Sequence, residues 1–266
     1  MAPASLSKHF ANDVGPISCV GLGRASPGPT RNAWLQPQGR LGYSLETTIR
    51  DMTPKQNGYR DYLDGLKTVM DQLPIDNALR AAEILFRAYQ SDHTVFLFGN
   101  GGSAALASHM AADLGKCTHF PGPEWIAPVK RLKALSVTDN MPLLTAWAND
   151  TSYDKVFAAQ IENFVQKDDV AFAISGSGNS PNVIRALELA RRKEAITIGL
   201  MGCGGGKMSE LVDCAILVPC YNMQQVEDCH VIVSHMVFLD LKKRIESEAK
   251  ARLHPETVCA GADSEP

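Results

Sequence analysis

The stretch from Val95 to Asp113 limits the fold more than any other. Val95-Phe96-Leu97-Phe98 is a short apolar run of strand-forming residues, Gly99, Gly101 and Gly102 follow, and an alanine-rich segment opens at Ser103. Glycine reaches backbone angles closed to other residues, and serine suits the cap of a helix. The stretch therefore predicts a buried strand, a tight turn and a helix over Ser103–Leu114. Such a turn aims free backbone N–H groups and the positive end of a helix dipole at one point, which suits a phosphate. No Gly-Lys-Ser/Thr follows, and the three-glycine spacing of a dinucleotide fingerprint is missing. One turn further on, His109 and Asp113 stand at i and i+4, so both project from one helix face. They are either a solvated pair or two groups able to bind metal or move protons.

The strand–turn–helix unit recurs along the chain. Strands are predicted over Thr94–Phe98, Leu132–Val137, Val170–Ile174, Ile196–Leu200 and Ala215–Val218. Helices are predicted over Met141–Asn149, Tyr153–Phe164, Pro181–Arg192, Lys207–Leu211 and Gln224–Ala249. Apolar strands alternating with helices of this length imply an α/β fold, a five-stranded parallel sheet flanked by helices on both faces. Ligands of such sheets bind beyond the carboxyl ends of the strands, where the strand order reverses. Two helices precede the first strand, with apolar residues at three- and four-residue steps through Tyr59, Tyr62, Leu63, Leu66, Val69 and Met70 and again from Ala78 to Phe86. The first carries more apolar surface than a leading helix buries alone, which points to a partner subunit.

Composition narrows the class. Net charge is −3 over 266 residues, which gives no reason to expect nucleic acid or an acidic membrane as partner. No apolar run approaches the roughly 20 residues of a membrane span. The cysteines number seven and form no Cys-x-x-Cys pair, so a reduced, cytoplasmic setting is expected. Residues 1–50, with five scattered prolines, are expected to be a disordered or poorly ordered extension, residues 54–250 the folded domain with its leading helices, and residues 251–266 a flexible tail.

The second loop is the more specific phosphate signal. Ser175-Gly176-Ser177-Gly178-Asn179-Ser180 lies between an apolar strand and a helix that opens with Pro181, a residue suited to the first helical turn. Its hydroxyls and the following helix start supply donors to a phosphate without any lysine. The last helix carries Glu227, Asp228, His230 and His235 in an otherwise apolar setting. Glu227 and His235 are eight residues apart, so they lie near one face; His230 is rotated away from them and reads as a satisfied core histidine. With His109 and Asp113, four groups suited to a divalent metal become available.

With both loops and the last helix in view, the chain resembles the sugar isomerase (SIS) domain family, and within it the phosphoheptose isomerases, from about Tyr59 to Ile245. The markers are Gly99-Asn100-Gly101-Gly102-Ser103, Ala148-Asn149-Asp150, Ile174 through Asn182, and Glu227-Asp228-Cys229-His230 with His235. The resemblance implies a single flavodoxin-like three-layer SIS domain, a homotetramer with active sites shared between subunits, and conversion of sedoheptulose 7-phosphate to D-glycero-D-manno-heptose 7-phosphate. It implies substrate contacts at Asn100, Ser103, Asp139, Ser175, Ser177 and Ser180. It implies zinc at His109, Asp113, Glu227 and His235, with Asp113 and His235 as the acid–base pair. Three positions depart from the family pattern: Asp113 stands for a glutamate, Glu227 for a glutamine and Gly176 for a threonine. Two other readings stay open: a non-catalytic SIS protein that binds a protein partner, and an isomerase for another phosphosugar.

Overall fold

The computed structural model describes residues 56–116 and 130–253. The extension expected over residues 1–50, and residues 254–266 of the expected tail, lie outside the described residues. Strands β1 (Thr94–Gly99), β2 (Lys133–Ser136), β3 (Val170–Ser175), β4 (Ile196–Met201) and β5 (Cys214–Leu217) form one sheet in the order β2-β1-β3-β4-β5, and every pairing is parallel. This is the flavodoxin-like order, with its reversal between β1 and β3. β3 sits in the middle and is buried along its whole length, as its run Val170-Ala171-Phe172-Ala173-Ile174 requires of a strand covered on both faces.

Alternate residues of each strand feed different layers. Val95 and Leu97 of β1, with Val170, Phe172 and Ile174 of β3, pack against α2 (Ile75–Gln90), α3 (Gly102–Lys116) and α7 (Met223–Leu253). Phe96 and Phe98, with Ala171 and Ala173, face α4 (Met141–Asp150), α5 (Val156–Ile161) and α6 (Pro181–Arg192). The leading helix α1 (Gln56–Met70) lies outside these layers. Its Leu66, Val69 and Met70 pack against Val218, Val226 and Cys229, where α7 begins.

The expected helix over Tyr153–Phe164 is shorter in the structure: a 3₁₀ turn at Tyr153–Lys155 and the six-residue α5. The chain must reverse there to enter β3, and Asp169 secures the reversal by accepting the Gln166 N–H at 2.8 Å. Lys207–Leu211 is likewise a 3₁₀ turn over Gly206–Glu210. The last helix runs further than expected, to Leu253.

The amino-terminal edge of the sheet is held by two carboxylates. The other Asp169 oxygen accepts the Thr94 N–H at the start of β1 at 2.8 Å. Asp213 Oδ2 accepts the Thr197 N–H and the Thr197 hydroxyl, both at 2.8 Å. At the entries of β1 and β4 a backbone N–H is thus satisfied by a nearby side chain.

Candidate active site

The loops after β1 and β3 leave the carboxyl edge at the point where strand order reverses. Asn100 and Asn182 lock them together by a reciprocal amide pair, Asn100 Nδ2 donating to Asn182 Oδ1 at 2.9 Å and Asn182 Nδ2 to Asn100 Oδ1 at 2.8 Å. The Tyr153 hydroxyl donates to the same Asn100 oxygen at 3.0 Å. The structure therefore places Asn100 in a brace between the two loops.

The serine loop is built around Gly178, whose φ of +63° favours glycine, and where a Cβ would collide with the Gly205 carbonyl. Its N–H donates to the Ser175 carbonyl at 3.1 Å and to Ser175 Oγ at 3.2 Å. Ser180 is the residue before α6 but makes no capping bond with its side chain; its Oγ lies 3.4 Å from Ser175 Oγ. Ser177 Oγ accepts the Asn179 N–H at 3.3 Å. Two hydroxyls and an uncapped helix start thus sit together. A side chain at Gly176 would run into the Met223 thioether.

Helices α3 and α7 flank the next feature. Helix α3 begins at Gly102, so Ser103 lies inside its first turn, buried, rather than capping it. Between this turn and α7 is a cleft of about 260 Å³ lined by Gly102, Ser103, Leu106, Glu227, His230 and Val231, with Asp228 at its side. The Glu227 carboxylate approaches Gly102 so closely that a Cβ there would stand 3.2 Å from Oε1. It therefore sits at the positive end of the α3 dipole, the place the glycine turn offered to a phosphate. Asp228 accepts the Tyr62 hydroxyl of α1 at 2.5 Å, which pushes the phenol up to about 12.

One turn beyond Leu106 on α3, and two turns beyond Glu227 on α7, three groups converge. His109 Nε2 lies 3.0 Å from His235 Nε2 and 3.1 Å from Asp113 Oδ2. His235 Nε2 lies 3.9 Å from the same Asp113 oxygen. Two bare ring nitrogens do not sit at 3.0 Å without a proton or a cation between them. Two nitrogens bound to tetrahedral zinc stand about 3.3 Å apart, given Zn–N bonds near 2.0–2.1 Å. The donor set of two imidazoles and one carboxylate, all within 4.8 Å of one another, therefore fits a divalent metal with a position left open. Glu227 is not among the groups that meet there.

Asp139 lies at the end of β2 in a hydroxyl cluster. Ser108 Oγ donates to its Oδ1, and Thr138 Oγ1 approaches the same oxygen at 3.3 Å. Ser108 is on α3 one residue before His109, so the cluster fixes the helix beside the convergent triad.

The profile of the SIS domain matches residues 59–202. The chain belongs to the SIS domain family. Among curated relatives, this SIS-domain chain is 37% identical over 153 residues to phosphoheptose isomerase 2 of Campylobacter jejuni, covering 58% of this chain and 73% of the relative. It is 35% identical over 189 residues to the phosphoheptose isomerase of Pelobacter propionicus, covering 71% and 94%. Among solved structures it is similar to the phosphoheptose isomerase of Neisseria gonorrhoeae, at 28% identity and a TM-score of 0.62, over 72% of this chain and 98% of that one. The isomerase from Francisella tularensis shares the fold at a TM-score of 0.64 and 23% identity, over 71% of this chain and 99% of that one. The SIS-domain chain is an isomerase of the phosphoheptose isomerase type.

Three side chains of this SIS domain escape sequence reasoning. Tyr153 and Asn182 reveal their bracing role only when the two loops are adjacent. His230 reads as a satisfied core residue, and it is buried, at 1% exposure. Yet its Nε2 finds no hydrogen-bond partner among the described residues. Leaving a buried polar atom unpaired costs about 1–3 kcal/mol, and periodicity carries no sign of it.

Proposed function

We propose that this isomerase interconverts a ketose and an aldose phosphate, sedoheptulose 7-phosphate and D-glycero-D-manno-heptose 7-phosphate. The observation that carries the reading is the convergence of His109, Asp113 and His235, brought from two distant parts of the sequence to within 3.0–3.9 Å. The names of the curated relatives support the choice of substrate.

The phosphate rests on Ser175, Ser177 and Ser180, where hydroxyls meet the start of α6. Ser103 reaches the substrate from the opposite side. Glu227 and Asp228 repel phosphate from the α3–α7 cleft, which leaves that cleft to the hydroxylated carbon chain, with Asp139 and Asn100 at its approaches. Asp113 takes the proton from the carbon beside the carbonyl, and His235 carries the oxygen-bound proton, giving an enediol that collapses to the other isomer. His109 orients the Asp113 carboxylate. The shorter reach of Asp113, by about one bond, is made up by its contact with both imidazoles. With zinc held by His109, Asp113 and His235, the metal would supply Lewis-acid polarisation of the reacting oxygen, and the proton roles would fall to whichever of these groups is released from it.

A homotetramer with shared sites is part of the same reading, supported by Tyr59 and Leu63 of α1, which are 69% and 49% exposed. A cytoplasmic setting suits the free cysteines Cys203, Cys214, Cys220 and Cys229; no helix among the described residues is long and apolar enough to cross a membrane.

Purified full-length protein is incubated with sedoheptulose 7-phosphate, with and without added zinc, beside Asp113→Asn, His235→Ala and the double variant. The reading predicts conversion to the aldose by the wild type and its loss in all three variants. Conversion by the double variant at the wild-type rate would overturn it.

A further inference from the structure

Tyr153 opens the 3₁₀ turn that follows α4, and that turn is tied to two different parts of the working edge. Asp154 forms an ion pair with Arg185 of α6. A hydrogen bond from Ser152 and the charge of that guanidinium hold its carboxyl below the usual carboxylate range. The turn is therefore fastened to the helix whose start meets the serine loop. The neighbouring Tyr153 hydroxyl reaches Asn100, in the turn between β1 and α3, at 3.0 Å.

Asn100 has no acceptor capacity to spare. A carbonyl oxygen offers two lone pairs, and Asn100 Oδ1 takes Asn182 Nδ2 at 2.8 Å and the Tyr153 hydroxyl at 3.0 Å. Asn182 Oδ1 is filled in the same way, by Asn100 Nδ2 at 2.9 Å and the Val183 N–H at 3.0 Å. Asn182 is the second residue of α6 and is buried. Asn100 stands two residues before α3, the helix that carries His109 and Asp113. Stability does not explain the third member of this network. The Tyr153 ring is 54% exposed, so it adds little to the core, and one hydrogen bond contributes only about 0.5–1.5 kcal/mol. What the hydroxyl adds is geometric. The amide pair joins the two loops at one point, and the phenol, carried on a turn fastened to α6, adds a second strut between them.

We propose that Tyr153 is a positioning residue of the isomerase: acting through Asn100, it fixes the distance between the phosphate cradle at the start of α6 and the acid–base groups reached along α3. The inference rests on the sugar-phosphate reading above. In a ketose 7-phosphate the phosphate and the reacting carbons lie at opposite ends of the chain. A substrate held at one end and converted at the other needs that separation set, because a misplacement of about 1 Å can cost about 100-fold in rate.

The test uses the full-length protein with Tyr153→Phe, which removes only the hydroxyl, and Asn182→Ala, which breaks the amide pair. Kinetics with sedoheptulose 7-phosphate, inhibition by inorganic phosphate and thermal unfolding are measured for each. Tyr153→Phe is expected to lower kcat about tenfold, a part of the cost of a full misplacement. The inhibition constant of phosphate stays within about twofold, since the serine loop keeps its own donors, and the unfolding temperature stays within about 2–4 °C. Asn182→Ala is expected to lower kcat further, and Tyr153→Phe added to it to cost little more, because residues in one network do not act additively. An unchanged kcat in Tyr153→Phe would overturn the inference and leave the isomerase reading standing. So would a loss of kcat matched by an equal loss of phosphate affinity or by a larger drop in unfolding temperature, and so would fully multiplying effects of the two substitutions. A wild type that neither binds nor converts the sugar phosphate would overturn the isomerase reading itself. Should Asn182→Ala fail to fold, Tyr153→Phe alone decides.

Discussion

The two edges of the sheet treat polar groups in opposite ways. At the amino edge, Asp169 accepts the Thr94 and Gln166 N–H groups and Asp213 accepts from Thr197, so every carboxylate oxygen named there has a partner in the chain. At the carboxyl edge, two histidine nitrogens face each other at 3.0 Å and His230 Nε2 has no partner among the described residues. The difference is that the first set completes the fold and the second waits for something outside it. Ionisable groups converging on one another, beside one buried ring nitrogen left unpaired among the described residues, mark the working edge.

The contrast is broken most severely by exchanging its predicted consequences. Asp113→Asn and His235→Ala are expected to lower kcat by about 10²–10⁴-fold, the usual scale of acid–base catalysis, while thermal unfolding stays near that of the wild type. Asp169→Ala is expected to do the reverse. It orphans two backbone N–H groups and should cost about 2–4 kcal/mol in urea unfolding, with little change in activity per folded molecule. A large loss of stability in the first pair, or a large loss of catalysis in the second, would erase the distinction.

A pH profile of stability sharpens it. Burial holds His230 near 4 in the folded protein, below its ordinary 6.5. Between these values the unfolded chain binds a proton that the folded chain refuses. Stability from this source is therefore full above pH 6.5 and declines as pH falls toward 4, by up to about 3 kcal/mol. Unfolding measured across that range should be flatter in His230→Asn. The smallest effect is expected at the serine loop, where Ser180→Ala should raise KM about tenfold for the loss of one hydrogen bond to phosphate and leave kcat nearly unchanged.

Much of this was legible in the sequence. The apolar run of β3 and its neighbours specified the parallel sheet, and the glycine and serine loops specified its working edge. The i and i+4 spacing of His109 and Asp113 put them on one face, because helix geometry is local. What remained illegible was tertiary. Spacing along α7 gives Glu227 and His235 equal standing, but two helical turns separate them, so His235 reaches the triad while Glu227 lies against Gly102. The reversal that shortens α5 depends on Asp169, a residue beyond the helix itself. The unpaired nitrogen of His230 depends on what its tertiary neighbours fail to offer it, and no pattern within α7 encodes that.

The account rests on proton transfer by the groups that converge between α3 and α7. Isomerisation of sedoheptulose 7-phosphate in deuterium oxide, followed by mass spectrometry of the product, tests this most directly. The wild type is predicted to place solvent deuterium on the carbon beside the carbonyl, and the Asp113→Asn/His235→Ala double variant to place none. Labelling by the double variant at the wild-type rate would contradict the account.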